Sequence, residues 1–206
     1  FILSPHFDYD YTLPLLLTSS LILSLTGLLF YPRKETAFIS WVWTIAGILY
    51  VGWLLSYLIL LRGLDAHGGW VFFALFSNFG SDTAAFFIGK AWGRHHLAPG
   101  ISPKKTWEGA VAGVSGAIVI GLILDTALNL PLNYAQTILL SVLVSIFGQL
   151  GDLSESLLKR NLGVEESGKL LPGHGGLLDR MDSIVFAVVI VYYSVLAYNA
   201  GWLNWL

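Results

Sequence analysis

The chain has 206 residues, of which 55% are hydrophobic and 12% charged, with a formal net charge of −2 and a mean hydropathy of +0.70. This composition excludes an ordinary soluble domain and is typical of a membrane protein. Because the sequence has no cysteine, it also excludes disulfide bonds and cysteine-ligated metal sites. The only methionine is Met181 and the chain opens at Phe1, so we expect a further N-terminal portion of the protein to precede this sequence.

Six segments are apolar for long enough to cross a hydrocarbon core about 30 Å thick, which takes roughly 20 helical residues. Asp82 interrupts the third segment and Asp152 the fifth. The sequence therefore predicts an all-α fold, a polytopic membrane helix bundle with about six transmembrane helices in one domain over residues 1–206. The predicted spans are approximately 12–31, 39–61, 69–90, 109–131, 135–158 and 182–204.

Basic residues are concentrated in alternate connections between these spans. Of the eleven Lys and Arg residues, all but Arg62 lie in or beside the connections at about 32–38, 91–108 and 159–181. The positive-inside rule makes these three connections cytoplasmic and puts both ends of the chain on the outer side. Chemistry on a soluble substrate is therefore expected at the two long polar connections, on the cytoplasmic face.

Acidic residues gather at both ends of the last of these connections. Asp179 and Asp182 are spaced i, i+3 and share one face of the next helix. The other acidic group contains Asp152 and Glu155 on the preceding helix. The two groups are joined through LLPGHGGLLDR, whose glycines permit tight turns and close approach to a ligand. A hairpin of helices joined in this way would bring Asp152, Asp179 and Asp182 together. The stripe on the preceding helix, spaced i, i+3, i+4, i+7, consists of Asp152, Glu155, Ser156 and Lys159.

Such a cluster predicts a site for a metal and a nucleotide. Three carboxylates repel one another unless a cation lies among them, and hard oxygen ligands suit Mg²⁺. Metal-binding carboxylates beside basic side chains and glycine backbone are what a nucleoside triphosphate needs, although neither common glycine-rich nucleotide motif is present. The alternative of solvated loop charges is disfavoured, because Asp152 and Asp182 lie at membrane boundaries where charge is costly. For His174, a structural role and a phosphate contact both stay open.

The other long connection, GKAWGRHHLAPGISPKKTWEG, has a similar character. It ends at the expected start of a helix near Thr106, and a helix N-terminus favours anions. Its hydroxyl and cationic side chains predict phosphate or substrate contacts, and the alternative is a polybasic patch that touches anionic lipid. Because His95 and His96 are adjacent and point in different directions, no metal site is predicted there. The residues of the predicted contact are Ser102, Lys104, Lys105 and Thr106.

Asp82 is the deepest ionisable residue in the predicted spans. Asn78 lies four residues earlier on the same helix face, so the pair is predicted to line a polar cavity entered from the membrane. The alternative is a structural hydrogen bond to another helix. Asp125 is close to the outer end of its span, where a structural role is expected.

Two stretches resemble one enzyme family. GDLSESLLKRNLGVEESGKLLPGHGGLLDRMDS is similar to the C-terminal signature of the phosphatidate cytidylyltransferases, or CDP-diacylglycerol synthases, which runs S-x-x-K-R, K-D-x-G and P-G-H-G-G-x-x-D-R-x-D. SDTAAFFIGKAWGRHHLAPGISPKKTWEG resembles the family's second conserved region, so the resemblance covers about residues 78–185. One departure is Glu165-Glu166, where the family usually has Lys-Asp, so no phosphate contact is carried over to position 165.

The resemblance implies that CTP and phosphatidic acid react to give CDP-diacylglycerol and pyrophosphate, with Mg²⁺ as cofactor and K⁺ beside it. The phosphate of phosphatidic acid is already an anionic nucleophile, so catalysis would depend on positioning and electrostatics. The residues themselves suggest a mechanism that fits this reaction, as a hypothesis. In it the catalytic residues are Asp152, Lys159, Asp179 and Asp182, of which the three aspartates hold the metal. The substrate-binding residues are Asn78, Asp82, Ser102, Lys104, Lys105, Thr106, Ser156, Arg160, His174, Gly175, Gly176 and Arg180.

The expected partners are CTP, phosphatidic acid and membrane lipid, with no nucleic acid, and the family indicates a homodimer. The expected location is the inner membrane of a bacterium, with the active site facing the cytoplasm. A related alternative is a CTP-dependent polyprenol or phytol kinase, which releases CDP where a cytidylyltransferase releases pyrophosphate. An ion-coupled transporter would use Asp82 and Asp152 as intramembrane ion sites. The intact P-G-H-G-G-x-x-D-R-x-D motif favours the transferase, and the spaced D-G…G…D…D pattern of the CDP-alcohol phosphotransferases is not found.

Overall fold

A computed structural model of the protein describes residues 2, 9–30, 34–162 and 178–202, without the side chains of 9, 10, 34, 162 and 178–180. Within these residues, six helices are long and apolar enough to cross a membrane. The predicted all-α membrane fold and its six spans are confirmed, and the protein is an integral membrane protein. The chain divides into two compact units, residues 1–60 and 61–206, and a single catalytic domain over the whole chain stays a prediction.

The first unit is built from two membrane-spanning helical segments. Trp41 joins them, because its Nε1–H donates a hydrogen bond of 2.9 Å to Ser24 Oγ. Many of their leucine, isoleucine and phenylalanine side chains are exposed, as expected for helices whose surroundings are lipid. The elements are α1 (Tyr9–Gly27), a 3-10 turn (Leu28–Phe30), α2 (Lys34–Gly47), a π-helical segment (Ile48–Trp53) and the start of α3 (Leu54–Arg62).

The second unit contains four long helices and one small β-hairpin. Helix α5 packs on α4 and α6, and α7 packs on α6 and α4, so the four helices share one core that includes the buried Phe73, Val144 and Val188. Apolar side chains on the outer faces, such as Phe86 and Val111, are exposed. The elements are α4 (Gly69–Trp92), β1 (His96–Ala98), β2 (Ser102–Thr106), α5 (Trp107–Leu128), α6 (Tyr134–Leu162) and α7 (Leu178–Asn199).

Local side-chain hydrogen bonds fix where two of these helices begin. Thr106 is the N-cap of α5, since its Oγ1 accepts the Gly109 N–H at 3.2 Å. Before α6, Asn133 Oδ1 accepts the Gln136 N–H at 2.9 Å and Gln136 Oε1 accepts the Asn133 N–H at 3.0 Å. This reciprocal arrangement satisfies two donors at the helix start.

The hairpin is the main difference from the predicted fold. Strands β1 and β2 are antiparallel, with His96 opposite Thr106 and Ala98 opposite Ser102, in a connection that we predicted as a polar loop. Strands of three and five residues, one of which contains a proline, are too short for a periodic sequence pattern to reveal. A smaller difference is that α7 ends at Asn199, before the predicted boundary at 204.

Candidate active site

Three aspartates from three helices lie within electrostatic reach of one another. They are Asp82 on α4, Asp152 on α6 and Asp182 on α7, and the charge of each acts on the others. All three are half-buried. We call these residues the carboxylate cluster. The structure thus brings the predicted pair Asp152 and Asp182 together and adds Asp82, which the sequence associated with a separate cavity.

Lys105 supplies a positive charge to this cluster. Its Nζ lies 2.7 Å from Asp152 Oδ2, and its side chain is 21% exposed. Its charge also acts on Asp82 and Asp182. Since Lys105 is on β2, the hairpin is the element that delivers a cation to carboxylates on three helices. Three negative charges beside this one cation leave an excess that favours binding of a further cation.

Asp82 is held by two polar side chains. Asn78 Nδ2 donates to Asp82 Oδ2 at 3.2 Å and to Ser183 Oγ at 2.8 Å, and Ser183 Oγ–H donates to the same Asp82 oxygen at 3.1 Å. Asn78 and Ser183 are both buried. The Ser183 N–H also donates to Asp182 Oδ1 at 2.7 Å. Ser183, which the sequence analysis did not single out, therefore contacts two of the three carboxylates.

A second polar network lies beside the cluster, one residue along α4 from Asp82. Ser81 Oγ lies 2.7 Å from Ser145 Oγ. Gln149 Nε2 donates to Ser145 Oγ at 3.0 Å and to the Ala110 carbonyl at 3.1 Å. These bonds connect α4, α5 and α6. Because buried polar side chains in a membrane need partners, the network fixes the helices that carry Asp82 and Asp152.

Two glycines on α6 let its backbone approach the residues around the cluster. A Cβ at Gly148 would overlap Asn78 Oδ1, and one at Gly151 would come within 2.5 Å of the Asp182 carbonyl oxygen. Another residue at Gly148 would have to displace the Asn78 side chain, and one at Gly151 would have to push α6 away from the backbone of α7. Asp152, which follows Gly151 directly, would move with it.

The predicted stripe on α6 is divided between two contacts. Ser156 Oγ–H donates to Asp152 Oδ1 at 3.4 Å, which extends the cluster along the helix. Glu155 is only 1% exposed and pairs with Lys159, whose Nζ lies 2.7 Å from Glu155 Oε2. Arg160 is exposed. The sequence placed Glu155 on this stripe without a role, and the structure makes it the partner of a predicted catalytic residue.

The hairpin residues of the predicted substrate contact differ in their surroundings. Lys105 reaches the cluster, whereas Lys104 is exposed. Thr106 is buried and its hydroxyl caps α5, so its observed contact is structural. Ser102 is half-buried beside the turn of the hairpin.

Several predicted residues fall outside the described part of the chain. His174, Gly175 and Gly176 are among them, and of Asp179 and Arg180 only the helical backbone of α7 is described. Among the described residues, no group of three acidic, histidine or cysteine side chains has the arrangement of a metal site. Because Asp179 is not among them, the predicted metal set of Asp152, Asp179 and Asp182 stays a prediction.

The chain is similar to several curated proteins named phosphatidate cytidylyltransferase. A phosphatidate cytidylyltransferase of Bacillus subtilis is 41% identical over 157 residues, which is 76% of this chain and 58% of the relative. Another from Brucella suis is 42% identical over 151 residues, which is 73% of this chain and 56% of the relative. One from Staphylococcus haemolyticus is 35% identical over 86% of this chain and 66% of the relative.

The aligned part of this chain thus spans between about half and two thirds of the length of these curated relatives. The sequence also matches the profile of the cytidylyltransferase family over residues 5–198, which includes every residue of the carboxylate cluster and the whole hairpin. By this match and these identities, the chain belongs to the cytidylyltransferase family.

Proposed function

We propose that the protein is a phosphatidate cytidylyltransferase, which transfers CMP from CTP to phosphatidic acid and releases pyrophosphate. The observation that carries the proposal is the carboxylate cluster with Lys105, in a membrane chain of the cytidylyltransferase family. The names of the Bacillus and Brucella relatives support phosphatidic acid as the acceptor. A lipid acceptor also fits a site that lies among membrane-spanning helices.

The proposed reaction needs little proton transfer. A phosphate oxygen of phosphatidic acid attacks the α-phosphorus of CTP and forms a new P–O bond. The bond from that phosphorus to the oxygen bridging the β-phosphorus breaks, and its electron pair leaves with pyrophosphate. Since the attacking phosphate is already an anion, the residues must bring two anions together and stabilise the leaving charge. We assign this role to Lys105, and we assign Lys159 and Arg160 to phosphate oxygens as further cations.

The oxygen donors of the site suit a magnesium ion chemically, although the described residues alone do not have the arrangement of a metal site. The carboxylate cluster offers hard oxygen donors, and its three charges exceed the single charge of Lys105. The set that we propose to hold the ion is the predicted one, Asp152, Asp179 and Asp182. When bound, Mg²⁺ would neutralise charge on the triphosphate and on departing pyrophosphate. A potassium ion beside it is a further proposal from the family resemblance, and comparing activity in potassium and sodium buffers tests it.

The first experiment measures CDP-diacylglycerol and pyrophosphate formed from CTP and phosphatidic acid in detergent, with and without Mg²⁺. Asp182→Asn should lose the product while remaining folded. The matched control is Asp125→Asn, since Asp125 is buried in α5 and accepts a bond from Thr137 at 3.0 Å that an asparagine oxygen can also accept. Its activity should stay close to that of the parent.

Other outcomes of this experiment separate the alternatives. Release of CDP with a phosphorylated alcohol would indicate a CTP-dependent lipid kinase. A folded parent that forms neither product and binds no CTP would overturn the proposal, and ion transport would then be tested.

Placement in the cell is a further part of the proposal. We assign the site to the cytoplasmic face of a bacterial inner membrane, because the basic connections adjoin it. Since the chain has no cysteine, a single cysteine introduced at Gly100 in the hairpin turn can report its side by labelling with a membrane-impermeant reagent. The proposed homodimer is tested by measuring the mass of the protein in detergent by light scattering.

A further inference from the structure

The base of the hairpin is closed by contacts that the predicted site does not include. The chain leaves α4 at Trp92, forms β1 and β2, and enters α5 at Trp107. The Trp107 N–H donates to the His95 carbonyl at 2.9 Å. His95, directly before β1, is thereby joined to the first residue of α5.

Glu108 strengthens this closure with both of its carboxylate oxygens. Oε1 lies 2.6 Å from His95 Nδ1, and Oε2 accepts the His95 backbone N–H at 3.3 Å. One side chain in the first turn of α5 therefore holds both the ring and the backbone of the residue that starts the hairpin. We call this arrangement the His95–Glu108 clamp.

The clamp lies close in the chain to the residue that reaches the carboxylates. Lys105 is on β2, next to Thr106, whose strand partner is His96. If the clamp opened, the residues beside the His96–Thr106 pair, including Lys105, would no longer be held in place. Lys105 Nζ reaches Asp152 Oδ2 at 2.7 Å from the backbone of β2. If that backbone became mobile, the conformational entropy lost on placing Nζ beside Asp152 would increase, and the contact would be weaker.

Global stability does not explain the clamp well. The side chain of His95 is 78% exposed and that of Glu108 is 28% exposed, and ion pairs at such positions add little to stability in water. What the clamp does fix is the geometry of a short hairpin, which is marginal on its own. From this we infer that His95 and Glu108 are positioning residues that hold Lys105 against the carboxylate cluster, an inference that rests on the proposed cytidylyltransferase function.

The test compares Glu108→Ala with Glu35→Ala, a matched control because Glu35 is exposed in the first turn of α2. Glu108→Ala should lower kcat/KM for CTP about tenfold, which is the size expected from losing a charge-assisted hydrogen bond. Its thermal midpoint should stay near that of the parent. Glu108→Gln should recover much of the activity, because its amide oxygen can still accept the His95 N–H.

A double-mutant cycle with Lys105→Ala separates positioning from a direct role. If Glu108 acts through Lys105, the double variant should be no less active than Lys105→Ala alone. If the fold loss of the double variant equals the product of the two single fold losses, the inference is overturned, since Glu108 then acts independently of Lys105.

Amide hydrogen exchange provides a readout that does not depend on activity. Glu108→Ala should speed exchange at the amides of His95 and Trp107 and leave exchange in α6 unchanged. Unchanged exchange at the hairpin would also overturn the inference. If the parent has no cytidylyltransferase activity but Glu108→Ala still exchanges faster at the hairpin, the proposed function is wrong and the structural role of the clamp is established.

Discussion

The side-chain carbonyl of Asn78 on α4 packs directly against the Cα of Gly148 on α6. Asn78 holds both Asp82 and Ser183 through its amide nitrogen. Position 148 is therefore linked to the geometry of the carboxylate cluster although it carries no functional group.

Gly148→Ala tests this link. The added methyl group would displace Asn78, so we expect at least a tenfold loss of activity and a destabilisation of about 1–3 kcal/mol, as for other overpacked interiors. Activity and thermal midpoint in detergent measure the two effects. Gly47→Ala is the control, because a Cβ at Gly47 meets nothing within 4 Å. Full activity of Gly148→Ala would show that Asn78 can move without harm to the site.

Lys105 is expected to be the cation on which the cluster depends most directly. Lys105→Ala removes the ion pair with Asp152 and a preorganised positive charge, so we expect activity to fall by about 100-fold, as when one electrostatic group is removed from an active site. The measurement is the rate of pyrophosphate release at saturating CTP. In the matched control, Lys90→Ala, an exposed lysine above the Phe86 ring is removed, and the rate should hardly change. Equal losses in both variants would point to a general effect of basic charge near the membrane.

The sequence predicted the spans better than the contacts between them. Long apolar segments predict the six helices, because this signal is local. The partnership of Asp82 with Ser183 joins residues 101 positions apart, and no helical spacing can reveal it. Sequence reasoning did locate Asp82 by its charge inside a span, and it left open the hydrogen bond to another helix that the structure contains.

The hairpin shows the same limit at shorter range. Lys104 and Lys105 are equivalent in the sequence, and only the folded hairpin separates them, since Lys104 is exposed whereas Lys105 is half-buried and pairs with Asp152. For Thr106, the start of α5 was predicted correctly, yet its hydroxyl is used as the cap of that helix. The carboxylate of Glu108 was missed because its partner, His95, was considered only as a metal ligand.

Ser183→Ala should reduce activity about tenfold while the protein stays folded. The variant removes the hydroxyl that donates to Asp82, and a hydrogen bond to a charged group contributes about 1.5–3 kcal/mol. Steady-state kinetics with CTP and phosphatidic acid measure the loss. The control is Ser115→Ala, since the exposed Ser115 hydroxyl bonds only the Val111 carbonyl of its own helix among the described residues. If Ser183 acts by orienting Asp82, adding Ser183→Ala to Asp82→Asn should cause no further loss.

Glu155 and Lys159 allow stability and activity to be separated. Glu155→Gln leaves the buried side-chain volume nearly unchanged but removes the charge that pairs with Lys159. Loss of one partner from a buried pair costs about 3–5 kcal/mol, and we expect the lower end because the Lys159 side chain is 23% exposed and can reach water. The thermal midpoint, followed by tryptophan fluorescence, should therefore fall.

The double variant Glu155→Gln, Lys159→Met decides what Lys159 does beyond that pairing. Removing both charges avoids separating one charge of this pair from the other, so the thermal midpoint should rise above that of Glu155→Gln. Activity should fall well below that of the parent, because the proposed phosphate-binding cation is gone. If the double variant regains stability and is as active as the parent, Lys159 is a structural partner of Glu155, and phosphate binding would then be assigned to Lys105 and Arg160.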